Sequence, residues 1–140
     1  MKILLAVDGS EASERAVKHV VQFAKALAEP PALTLLHVDA PLLQAAAAKL
    51  GAKAVADYHA SNSQYALKDA RRILNRARLV FDTVALVGDP AEKIVATATK
   101  QRSDLVIMGS RGQTALKGLL LGSVASKVLA QSKVPLTLVR

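Results

Sequence analysis

Four short runs rich in Val, Ile and Leu constrain this chain most: Ile3–Val7, Leu33–Val38, Leu105–Met108 and Leu136–Val139. None shows the in-out alternation of a strand with one wet face, so each suits a parallel sheet covered on both sides. Phe81–Val87 is a fifth candidate, less uniform because Asp82 and Thr83 interrupt it.

Helical patterns fill the intervals. Ser10 to Ala28 places Ala12, Ala16, Val17, Val20, Val21, Ala24 and Leu27 at three- and four-residue spacings. Ser10 is the predicted N-cap, Glu11 and Glu14 suit the positive end of the helix dipole, and Pro30–Pro31 stop the helix. Asp89-Pro90-Ala91-Glu92 reads as a cap, a first-turn proline and a capping box, opening a helix that runs to about Lys100. A last helix spans Ser123 to Gln131, with Val124, Val128 and Leu129 expected on one face. Residues 40–79 form a long connection, Ala-rich at first, with Ser61-Asn62-Ser63 as its candidate break. Leu67, Ala70, Leu74 and Ala77 then make an apolar stripe, while Lys68, Arg71, Arg72, Asn75, Arg76 and Arg78 line the opposite, solvated face.

This order of strands and helices predicts one doubly wound α/β domain, 1–140, with helices on both faces of a parallel sheet. Its 140 residues suffice for one core and not two. Without cysteine, disulfides and thiolate chemistry are excluded, and 3% aromatic content disfavours base-stacking on single strands. The net charge of +8 invites an anionic partner, and from Lys100 onward seven basic residues face Asp104 alone. A nucleic-acid partner is nevertheless not expected, since only the Arg71–Arg78 face and the net charge speak for it. No run reaches the roughly 18 apolar residues that span a bilayer, and Met1 to Asp8 lacks a signal-peptide pattern, so no membrane association and a cytoplasmic location are expected.

In open parallel sheets ligands bind beyond the carboxyl ends of the strands, where strand order reverses. That rule points to Val7-Asp8-Gly9-Ser10, Val38-Asp39 and Met108-Gly109-Ser110. Neither a P-loop nor a G-x-G-x-x-G follows the first strand. In their place stands Met108-Gly109-Ser110-Arg111-Gly112, nine residues, then Gly122-Ser123. Gly109 would let a ligand or backbone approach closely at a strand end. Gly112 would take positive φ and aim amides inward as an anion nest. Gly122 and Ser123 would open the last helix, bringing amides, dipole and a capping hydroxyl to a phosphate, with Arg111 and Lys117 nearby. The alternative is that these glycines are turn and cap residues with no ligand.

The spacing G-x2-G-x9-G-[ST], met by Gly109, Gly112, Gly122 and Ser123, resembles that of the universal stress protein family. The opening Ile3-Leu4-Leu5-Ala6-Val7-Asp8-Gly9-Ser10, the Leu36-His37-Val38 strand end and the closing Val134-Pro135-Leu136-Thr137-Leu138-Val139 are similar to it too, so the resemblance covers the chain. It implies a Rossmann-like five-stranded sheet of order 3-2-1-4-5 and ATP at its carboxyl edge. Asp8, following Ala6 and Val7, would sit beside the adenosine, and the Val38 backbone would read the adenine edge. Met108 and Gly109 would line base and ribose, while Gly112 and Gly122 wrap the phosphates with Ser123 and Val124. Arg111 falls at a variable motif position, so its phosphate contact follows from charge and proximity. Mg2+ would ride on the phosphates, no acidic cluster being able to hold it alone. The resemblance further implies a homodimer through Val134–Val139, an edge otherwise uncharged until Arg140.

No catalytic set is visible. His37 is expected to be packed or hydrogen-bonded; His19 and His59 lack partners at metal-ligand spacing; Ser10 has no His–Asp pair; Asp8 is expected to bond ligand hydroxyls or cap a turn. The expectation is an ATP-binding regulatory or stress-response protein with slow or no hydrolysis, acting on an unidentified protein partner. The alternative is a dimeric interaction module that binds no nucleotide.

Overall fold

The predicted apolar runs all become strands, each within a residue or two of its expected ends. In chain order, β1 (Lys2–Ala6), α1 (Glu11–Ala26), β2 (Ala32–Asp39), α2 (Gln44–Leu50), α3 (Ala52–Arg76), β3 (Phe81–Val87), α4 (Pro90–Gln101), β4 (Leu105–Gly109), α5 (Ser123–Gln131) and β5 (Leu136–Val139) make a doubly wound α/β fold. The computed structural model describes residues 1–113 and 120–140. Lys117, singled out above, lies outside the described residues.

All four strand pairs are parallel, in the expected order β3-β2-β1-β4-β5. Alternate residues of β1 and β2 therefore feed two separate cores, which is why those runs carry no polar face. Ile3, Leu5, Leu33 and Leu35 pack against Val17 and Val20 of α1 and Leu67, Ala70 and Leu74 of α3. Leu4, Leu36, Val38, Val106 and Met108 pack against Ala91, Ile94 and Ala98 of α4 and Ala125 and Val128 of α5. Each fully buried Leu or Val here contributes about 1.5–3 kcal/mol over an exposed one. Among the described residues no helix is long and apolar enough to cross a membrane.

Local signals behave as chemistry dictates. The Ser10 side chain accepts from the Ser13 N–H, and Asp89 accepts from the Glu92 N–H with Pro90 in the first turn. Only the Asp89 half of the capping box forms among the described hydrogen bonds. Helix α1 stops at Ala26, two residues early, where Leu27 turns extended ahead of the prolines.

Two expectations fail. The break in the long connection falls at Gly51 (φ 82°, ψ 160°), and α3 runs unbroken through Ser61-Asn62-Ser63 for 25 residues. Those polar residues do not interrupt the helix because tertiary contacts engage them: Ser63 is buried and Asn62 bonds Asp39. In α5, Leu129 is 54% exposed; Ala125 and Val128 are buried instead, with Val124 packed beside them.

Candidate functional site

The carboxyl ends of β1, β2 and β4 and the N-terminus of α5 enclose a cleft of about 410 Å³, within the usual range for small-molecule sites. All eleven residues expected at a site line it: Ala6, Val7, Asp8, Val38, Met108, Gly109, Arg111, Gly112, Gly122, Ser123 and Val124. Leu36, Ile94 and Ala125 extend its apolar wall.

Asp8 organises one side. Its Oδ1 accepts from the Ser10 N–H (3.0 Å) and the Ser13 hydroxyl. Its Oδ2 accepts from the Gln113 N–H (3.1 Å), and Gln113 Nε2 donates to the Asp8 carbonyl (2.7 Å). The carboxylate thus clamps the turn after β1 to the turn after β4, across 105 residues of sequence. Such a carboxylate is a scaffold with both oxygens engaged.

The glycines are small for reasons the sequence only half indicates. A Cβ on Gly109 would lie 2.7 Å from the Ala12 carbonyl carbon and 2.9 Å from the Ser13 nitrogen, so of the two expected close approaches the α1 backbone already requires glycine there. Gly112 is not among the positive-φ residues, which corrects the expected nest; its constraint is Asp8 Oδ2, 2.7 Å from where a Cβ would stand. A Cβ on Gly122 would press on Arg111 Cα at 3.3 Å. Gly122, donating to the Ser110 carbonyl at 2.8 Å, is itself the α5 N-cap. Ser123 is consequently the first helical residue, and its hydroxyl does not cap.

No side chain caps α5, the first intrahelical bond runs from Ser126 N–H to Gly122, and among the described residues its first-turn amides have no partner, which leaves them open to a ligand in the cleft. Gly122, Ser123, Val124 and Ala125 all line the cleft, where the helix dipole adds positive potential. Arg111 supplies a formal cation. Lys127, farther along α5, is turned to Asp89 at 3.5 Å. The Glu92 N–H, with Lys127 adding its charge, holds the Asp89 carboxyl below the usual carboxylate range. Among the described residues no three His, Asp or Glu side chains gather as metal ligands.

His37 is buried, and its Nδ1 lies 2.9 Å from the Val7 carbonyl. A carbonyl only accepts, so Nδ1 carries the proton and the ring braces β1 against β2. Sequence reasoning passed over one group of three: Asp39 at the end of β2, with His59 Nδ1 at 2.6 Å and Asn62 Nδ2 at 2.9 Å, both on Oδ2. The available signal was the three-residue spacing of His59 and Asn62, which sets them on one helix face.

A model of the Universal stress protein family matches residues 1–140. The chain belongs to the universal stress protein family. Universal stress protein MJ0531 of Methanocaldococcus jannaschii is 31% identical over 139 residues, covering 99% of this chain and 81% of the relative. Stress response protein NhaX of Bacillus subtilis is 30% identical, covering 99% and 97%. The solved structure of MJ0577, also of M. jannaschii, superposes on this universal stress protein with a TM-score of 0.81 at 30% identity, over 99% of this chain and 94% of that one. The crystal structure of a universal stress protein in complex with cAMP superposes with a TM-score of 0.73 at 25% identity, over 100% and 97%.

Proposed function

We propose that this universal stress protein is a cytoplasmic regulatory protein that binds an adenine nucleotide, ATP with Mg2+, in the cleft, and that occupancy alters what the protein associates with. The observation that carries this reading is one cleft joining an apolar wall to the uncapped amide end of α5 beside Arg111. An apolar wall suits a purine, and a helix N-terminus with an arginine suits its phosphates. The cAMP complex of a relative supports the same ligand class.

The backbone of Val38 would read the adenine edge, with Met108 and Gly109 against base and ribose. Gly112, Gly122, Ser123, Val124 and Arg111 would hold the phosphates. Mg2+ would be held through the phosphate oxygens and offset their charge. Hydrolysis would be slow or absent, because the Asp8 carboxylate is committed to three donors and is poorly placed to serve as a base. Pairing of two copies along β5, whose four residues are each half-buried in the single chain, would cover that sheet edge.

Mass spectrometry of small molecules released from purified protein, with calorimetric titration of ATP and Mg2+, tests the reading. Co-purified or tightly titrating ATP, weakened by Arg111→Ala, is the expected result. A protein that ignores adenine nucleotides but elutes as a dimer would be the interaction module instead.

A further inference from the structure

Asp39 is placed at the end of the second strand of a β-α-β unit, immediately after Val38, and lines the cleft. Its side chain is 17% exposed, and His59 and Asn62 approach from α3 on the same oxygen, Oδ2. A carboxylate only accepts, so His59 Nδ1 carries a proton toward it. No donor among the described residues reaches Oδ1. The Asp39 carbonyl in turn accepts from the Gly88 N–H at 2.9 Å, fixing the backbone of the same residue.

If these contacts served only to tie α3 to β2, a carboxylate would be a costly tie. Removing a charge from water is unfavourable unless its lone pairs are satisfied, and a neutral pair would hold the helix as well. Two donors on one oxygen leave the other in a fixed orientation, poised to accept one more hydrogen bond. At the carboxyl end of the second strand in β-α-β nucleotide folds, an acidic side chain meets the nucleoside portion of the ligand.

We propose that Asp39, buttressed by His59 and Asn62, is a specificity residue that accepts a hydrogen bond from the nucleoside of the bound nucleotide through Oδ1. The recognised group is a donor hydrogen, which the sugar carries on its hydroxyls and adenine on its exocyclic amine. The proposal rests on the nucleotide reading above and adds to it a selection against ligands that lack the donor.

Calorimetric titration of wild type and Asp39→Asn with ATP, 2′-deoxyATP, 3′-deoxyATP and ITP tests it. Wild type should bind ATP about tenfold or more tightly than the analogue that lacks the recognised donor, as expected for a lost hydrogen bond to a charged group. A deoxy analogue as the weak ligand assigns a hydroxyl; ITP assigns the amine. Asp39→Asn should weaken ATP and shrink that preference. Equal losses for all four ligands in Asp39→Asn, or equal affinities in wild type, would overturn the proposal and leave Asp39 as a tie between β2 and α3. Wild type that binds none of the four would instead refute the nucleotide reading, and this proposal with it. Should Asp39→Asn unfold at the assay temperature, His59→Gln serves: a reduced preference supports the assignment and an unchanged one overturns it.

Discussion

Gly109→Ala is the substitution for which the structure gives the sharpest expectation. The added methyl would stand 2.7 Å from the Ala12 carbonyl carbon, 2.8 Å from its Cβ and 2.9 Å from the Ser13 nitrogen. Ordinary contact begins near 3.4 Å, so about 0.7 Å must be found. Two of the three obstructing atoms are backbone, so no rotamer change relieves them. Either α1 retreats from β4, opening the packing of Ala16, Val17 and Val20 on β1 and β2, or β4 bulges and loosens its register with β1. Overpacking of this kind costs about 1–3 kcal/mol. For a chain of 140 residues that corresponds to a fall in Tm of roughly 3–12 °C. Urea unfolding followed by circular dichroism, with a common m-value for the two proteins, measures it directly. A Gly109→Ala protein within about 0.5 kcal/mol of wild type would refute the reasoning, because the close approach of α1 would then not be what requires glycine there.

Three further outcomes are expected. Gly112→Ala puts a methyl 2.7 Å from Asp8 Oδ2 and displaces that carboxylate from the Gln113 N–H, so calorimetry should show weaker nucleotide binding with a smaller stability loss than Gly109→Ala. Ser10→Ala removes the α1 cap and should lower stability by about 1 kcal/mol in urea titration; an unchanged midpoint would show that the cap is replaceable. Asp89 has a depressed native pKa, caused first by the Glu92 N–H and then by Lys127, so its ionised form favours the fold above the unfolded carboxyl value. Wild type should therefore melt above Asp89→Asn near neutral pH, and that gap should close as pH falls through the native pKa; a gap independent of pH would contradict the assignment.

Most of the cleft was legible in the sequence because its features are local: a strand end, a glycine turn, a helix start. The long connection was less so. Gly51 and Ser61-Asn62-Ser63 are comparable breakers by composition, and only the docking of α3 on β2, which engages Asn62 and buries Ser63, decides between them. The expected positive φ of Gly112 went astray, and which of the two expected neighbours Gly109 makes room for stayed open, for a related reason. Each glycine is dictated by an atom far away in sequence, Ala12 for Gly109 and Asp8 for Gly112. Asp39 meets His59 and Asn62 across 20 and 23 residues, and the spacing of those two marks a shared helix face without announcing its partner.

The central strand of the sheet is the first to be made, and its pairing with β4 joins Ile3 to Leu105. At about 5–20 residues per second, synthesis of the stretch between them takes roughly 5–20 s. In that interval β1, apolar on both faces, gains β2 on one edge and lacks its partner on the other. A nascent chain of this topology therefore presents an unpaired apolar strand edge until β4 emerges, and the cleft, which needs β1, β4 and α5 together, can close only after that.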